Sequence, residues 1–173
     1  MESEPKDLIV LGAIKRGAKK FDKIQKMTQI EPEELNSILE QLENRGFIKA
    51  EEKKGWFGRK IEISATEKGS NELDERIHEL QTKWEQMSLL YKSGDKEKLK
   101  QEMENNKSII PSMMFFGIMD MMMFSMMFSM MGMAMSDYVA PENMPEVNDG
   151  GMDDGSMDDG SMDDGGFDFD IGF

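Results

Sequence analysis

Every lysine and arginine in this chain lies between Lys6 and Lys107. Residues 1–111 set 21 bases against 22 acids, whereas residues 112–173 carry 13 acids and no base, so the formal charge of -14 belongs almost wholly to the C-terminal part. A mixed-charge surface can close around a core, but a glycine-containing run of one sign repels itself and buries little, so the excess charge is expected to lie in a tail outside the folded module. The methionines partition as well, with 12 of the 20 between Met113 and Met135. The chain therefore divides into a near-neutral module, a Met/Phe-rich apolar segment and an acidic tail, and 173 residues accommodate about one domain with appendages. No cysteine is present, which excludes a disulfide framework, a thiol nucleophile and a Cys-ligated metal. The opening MESEPKDLIV lacks the basic stretch and long apolar core of a signal peptide, so a cytoplasmic location is expected.

Within the module, Leu8, Val10, Leu11 and Ile14 recur at helical spacing over residues 7–16, and Lys15, Arg16 and Gly17 supply a C-terminal stop. Phe21, Ile24 and Met27 mark a short second helix. Pro32 suits a first helical position, and Leu35, Ile38, Leu39 and Leu42 carry a third helix to Asn44-Arg45-Gly46. Strand-like runs at residues 47–51 and 60–64 flank a basic loop at 53–60 that contains Trp56 and Phe57.

Three helices followed by a hairpin is the order of a winged helix-turn-helix. The stretches FDKIQKMTQI (21–30), EELNSILEQLENRGFI (33–48) and ISATEKG (63–69) resemble winged-helix transcriptional regulators of the broad MarR/PadR type, particularly archaeal ones, over residues 5 to about 92. The resemblance implies binding to double-stranded DNA, with the third helix for recognition and the 53–60 loop as the wing. Phosphate contacts then fall to Lys15, Arg16, Lys19, Lys20, Lys23 and Lys26, a net of +5 over twelve residues once Asp22 is counted, and to Lys53, Lys54, Arg59 and Lys60 around Trp56. Base contacts fall to Asn36, Ser37, Gln41 and Arg45. Glu33, Glu34, Glu40 and Glu43 nevertheless leave the recognition helix at -3, which predicts weak base reading beside closely spaced phosphates. The same lysines equally fit an ordinary solvated face, with Trp56 and Phe57 packed on the hairpin.

After Thr66, a candidate helix cap, Leu73, Ile77, Leu80, Trp84, Met87 and Tyr91 step by four and three, a heptad seam of about three repeats. Winged-helix regulators often dimerise through a helix in this position, so a homodimer is expected; the alternative is that the stripe folds onto the module's own core. His78, the sole histidine, lies beside the seam without a ligand set and reads as a solvated surface residue. Residues 93–111 read as a connector in which Ser93-Gly94-Asp95 breaks the helix, a charged helix over 96–107 turns Leu99 and Met103 inward, and Pro111 ends it.

From residue 113 to 135, twelve Met and four Phe are interrupted by Gly117, Asp120, Ser125, Ser129 and Gly132. The length suits a membrane span of ~20 residues, and all bases lie on one side, yet Asp120 offsets most of the insertion free energy of the phenylalanines and Ile118. A Met-lined face that repacks around apolar helices fits better, and in composition the segment is similar to the substrate-binding domains of the signal recognition particle and of tail-anchored-protein co-chaperones. That reading gives a hydrophobic partner to Met113, Met114, Phe115, Phe116, Met119, Met122, Met123, Phe124, Met126, Met127, Phe128, Met130 and Met131. A buried hairpin or dimer core competes with it. Met-x-Met spacings such as Met119 and Met121 could suit Cu(I), but the interleaved Phe and the lack of Cys argue against it, and no cofactor is expected.

From Gly151 the chain repeats the pentamers GMDDG, SMDDG and SMDDG, a low-complexity acidic run expected to be disordered. The closing Gly166-Phe167-Asp168-Phe169-Asp170-Ile171-Gly172-Phe173 resembles the acidic tip of bacterial single-stranded-DNA-binding proteins, with Gly172 in place of the usual proline, and implies a peptide that docks on a partner protein. No phosphate-binding loop, metal cluster or nucleophile constellation marks an enzyme. The expected chain is mainly α with a small β-hairpin: a winged helix-turn-helix at 1–65, a dimerisation helix at 66–92, a connector at 93–111, the Met/Phe-rich segment at 112–136 and the tail at 137–173. Its expected function is that of a dimeric DNA-binding regulator with an apolar partner; a protein-binding adaptor and a membrane-attached winged helix are the alternatives.

Overall fold

Residues 5–140 are described by the computed structural model, and the pentamer repeats and the 167–173 tip lie outside the described residues. Helices α1 (Pro5–Lys15), α2 (Phe21–Thr28) and α3 (Pro32–Asn44) precede a hairpin of β1 (Ile48–Gly55) and β2 (Gly58–Ala65). Then come α4 (Glu67–Ser93), α5 (Lys96–Asn105), α6 (Ile110–Phe115) and α7 (Met121–Met131). Among the described residues the architecture is helical apart from one antiparallel two-stranded ribbon, as the sequence predicts.

The core is organised around α1. Leu8, Ile9, Val10, Leu11, Ala13 and Ile14 are all buried, so this helix is apolar around its circumference and needs cover on every side. Helices α2, α3 and α4 and strand β2 pack against it, and so does α6 from the Met-rich segment. In α3 the buried Leu35, Ile38, Leu39 and Leu42 form the inward stripe, with Pro32 in the first turn. The turn between α2 and α3 is made by Gln29, whose φ of 55° is left-handed and whose N–H donates to the Gln25 carbonyl. Thr66 caps α4 by accepting from the Gly69 N–H at 3.1 Å, while its hydroxyl donates to the Gly46 carbonyl at 2.6 Å. A Cβ on Gly69 would collide with the Phe47 carbonyl, so α4 starts flush against the residue that leads into β1.

The heptad stripe of α4 is used differently from the expected dimer seam. Leu73, Leu80 and Met87 are buried in the chain's own core. Trp84 lies with its ring centroid 6.4 Å from that of Phe124, the Tyr91 hydroxyl donates to the Met126 sulfur at 3.5 Å, and Ile77 is half-buried against the same cluster. A three-four repeat specifies an apolar face and not its partner, and here the partner is the same chain.

The Met-rich segment is neither one helix nor a free apolar face. It breaks between α6 and α7 at Gly117, with φ of 65°, and Asp120 caps α7 by accepting from the N–H groups of Met122 and Met123. Pro111 stands in the first turn of α6 and so begins a helix instead of closing the one before it. Met113, Met119, Phe124, Met127 and Phe128 are buried; Met114, Phe115, Phe116, Met123, Met130 and Met131 are half-buried; Met122 and Met126 remain exposed at 70% and 47%. Among the described residues no helix is long and apolar enough to cross a membrane, and the 113–135 stretch weighed as a span is divided between α6 and α7. The buried members equally cannot offer themselves to a hydrophobic partner, because packing on α1, α4 and α5 has taken them into the core.

That core reaches past the expected start of the tail. Tyr138 and Val139 are buried, with the Tyr138 ring centroid 5.2 Å from that of Phe128 and 4.8 Å from the Lys107 ammonium. The Tyr138 hydroxyl donates to the Glu104 carboxylate. Burial, and after it the Glu104 carboxylate, push this phenol up to about 12.

Candidate nucleic-acid interface

One concentration of exposed cations lies at the wing and at the connection that enters α2, and another, Lys92, Lys96, Lys98 and Lys100, lies around the α4–α5 junction. The wing and the α2 connection are joined by backbone: the Ile63 N–H of β2 donates to the Lys19 carbonyl at 2.8 Å. Lys19 and Lys20 are thereby held close enough to Glu62 for their charges to act on it. A hydrogen bond from Lys53, at 2.8 Å, is the main cause that keeps the Glu62 carboxylate below its ordinary range, and the same pairing raises Lys53. Lys23 and Lys26 continue the basic surface along the exposed side of α2.

The wing is more regular than a loop. Its pairing runs from Ile48↔Ala65 to Gly55↔Gly58, so the expected basic loop at 53–60 is mostly strand, and Trp56-Phe57 alone forms the turn. From residue 49 to 61 both strands are exposed, and the ribbon stands clear of the body. Trp56 is 97% exposed and Phe57 91%, so neither packs on the hairpin. Lys53 sits opposite Lys60 and Lys54 opposite Arg59. Arg59 reaches Glu52 at 3.8 Å and Lys49 reaches Glu51 at 2.7 Å, the latter holding Glu51 low, whereas Lys54 and Lys60 enter no ion pair among the described residues.

On α3 the outward Asn36, Ser37 and Gln41 are exposed between Glu33, Glu40 and Glu43, while Glu34 pairs with Lys6 at 2.6 Å. Its outward face is thus as acidic as its sequence predicts. Three expected phosphate or base ligands are engaged elsewhere. The Arg16 guanidinium donates to the Phe115 carbonyl at 3.1 Å and lies 4.6 Å above the Phe115 ring. Arg45 is half-buried, 3.6 Å from the buried Asp7 carboxylate and 4.5 Å above the Phe47 ring, so it ties α1, α3 and β1 together. Lys15 lies 3.9 Å from Asp74 on α4. Among the described residues no cluster of three or more His, Cys, Asp or Glu could hold a metal, and His78 is exposed.

Helix pair, helix start and projecting basic ribbon together define a winged helix-turn-helix protein. A family model described as HxlR-like helix-turn-helix matches residues 5–93, and the chain belongs to that family. The match supports the winged-helix regulator class without singling out the MarR/PadR type. No curated protein and no solved structure matched the chain.

Proposed function

We propose that the protein is a DNA-binding transcriptional regulator that holds its duplex mainly through phosphates. The observation that carries this reading is the joining of Lys19 and Lys20 to the base of an exposed basic ribbon by the Ile63 to Lys19 hydrogen bond. Membership of the HxlR-like family supports it. Lys23, Lys26, Lys54 and Lys60 extend the contact, and α3 adds Asn36, Ser37 and Gln41 between carboxylates, so selectivity rests more on DNA shape than on base edges. Anisotropy of a labelled duplex against salt tests it: log K falls linearly with log salt, by about 0.9 per phosphate neutralised. Replacing Lys19, Lys20 and Lys23 by alanine flattens the slope, and a protein that leaves duplex unbound at low salt ends the proposal.

A homodimer belongs to the same proposal, with a changed surface. Since Leu73, Leu80 and Met87 are internal, the exposed apolar side chains that α4 and α7 leave for a second copy are Leu89, 65% exposed, Met122 and Met126. Sedimentation of the wild type beside Met122→Ser/Met126→Ser checks this. The same two methionines are the observation behind a second reading, capture of an apolar peptide; a crosslinker placed at Met122 that finds only the protein's own chain would dispose of it.

A further inference from the structure

The wing tip combines two arrangements that are unfavourable in water. Two large aromatic side chains are almost wholly solvated, and two like-charged pairs, Lys53 with Lys60 and Lys54 with Arg59, stand directly across the ribbon. A partner that is polyanionic outside and apolar inside relieves both at once. Duplex DNA has that construction, with phosphate walls around stacked bases.

We propose that Trp56 and Phe57 act as a wedge that enters the minor groove of duplex DNA and partly unstacks a base step. This rests on the DNA-binding reading and adds a mode of contact to it. Strand alternation places Lys53 and Lys60 on one face of the ribbon and Lys54 and Arg59 on the other. A ribbon approaching a groove end-on therefore shows two cations to each phosphate wall. The groove is only about 6 Å wide, so it admits side chains at the turn and not the ribbon itself. Apolar side chains inserted from that side unstack bases and kink the duplex, most cheaply at pyrimidine–purine steps. The acids of the ribbon lie nearer its base, where Glu62 and Glu52 are already engaged by Lys53 and Arg59. An anionic bilayer would also attract cations and aromatics, but the basic surface continues from the wing into Lys19, Lys20 and Lys23, with only Ile61 and Met27 as exposed large apolar side chains beside it.

The test uses the full chain and a labelled duplex carrying 2-aminopurine at several TA steps. Anisotropy reports binding, 2-aminopurine emission reports unstacking, and tryptophan quenching reports stacking at Trp56 over the background of the half-buried Trp84. Wild-type protein is expected to raise the 2-aminopurine signal and lose tryptophan emission. Trp56→Ala/Phe57→Ala is expected to abolish both signals while weakening binding by about tenfold. Lys54→Ala/Arg59→Ala is expected to weaken binding and reduce its salt dependence. All four positions are exposed, and unchanged thermal melting verifies that the variants fold. Binding without either optical change overturns the wedge and leaves the DNA reading standing; no binding at low salt overturns both. A tryptophan response to phosphatidylglycerol vesicles with none to duplex makes the tip a lipid contact and also overturns the wedge.

Discussion

The ring of Phe116 fills the space that a side chain on Gly12 would need: a Cβ there would lie 2.5 Å from two of its carbons and 3.4 Å from the Phe115 ring. Glycine in mid-helix costs about 1 kcal/mol relative to alanine, and here the absent side chain lets residues 115–116 seat on α1. Gly12→Ala is expected to gain helix propensity and lose the seat, for a net loss of about 1 kcal/mol, and Phe116→Ala to lose about 1–2 kcal/mol. In the double variant the losses should fall short of their sum by about 1 kcal/mol, as urea unfolding of the four proteins would show.

Asp120 is a cap. Removing its carboxylate with Asp120→Ala strips the Met122 and Met123 N–H groups of their acceptor and should cost about 1 kcal/mol in the same unfolding assay. An aspartate that served only to keep a membrane segment out of lipid would show no such loss.

Gln29 holds a backbone conformation that favours glycine, with φ of 55°. Gln29→Gly should therefore stabilise the turn between α2 and α3 by about 0.5–1 kcal/mol, read as a higher denaturation midpoint with an unchanged slope.

The Tyr138 phenol stays protonated in the fold up to about 12, against 10.0 when free. Between those values the unfolded chain has released a proton that the native chain still binds, so stability must fall as pH rises through this window and be fully present below it. Alkaline unfolding of Tyr138→Phe should lose that part of its pH dependence.

Ending the chain after residue 140 removes 11 acids and no base, and keeps Tyr138 and Val139 in their places. The shortened protein should bind duplex several-fold more tightly at low salt, with the difference closing as salt is raised, because unscreened like charge opposes a polyanion. Equal affinities at low salt would show that the acidic run has no part in DNA binding.

The elements from α1 to β2 were legible because their stripes at periods of 3.6 and 2 end at Gly17, Gly46 and the Gly55–Gly58 turn. The wing's regularity was missed: two glycines bracketing two residues were a signal for it, but the density of charge there reads as loop. What a period cannot reveal is whose surface it covers, and for that reason the stripe at Leu73, Leu80 and Met87 read as a dimer seam. A signal for the true arrangement lay in α1. Ile9, Gly12 and Ala13 fill the gaps between Leu8, Val10, Leu11 and Ile14, so the helix is apolar on all sides and calls for more cover than a winged helix provides. Arg16 and Arg45 were beyond reach, since their partners Phe115 and Asp7 lie far along the chain and no local pattern joins them.

The family match stops at residue 93, but the apolar cluster runs unbroken from Leu8 to Val139. A fragment cut at the end of the shared motif would leave one flank of its central helix wet at Gly12 and open the ring contact of Trp84. The cover of α1 and α4 thus extends past the matched residues, and Phe115, Phe116 and Phe124 form the wall on that side.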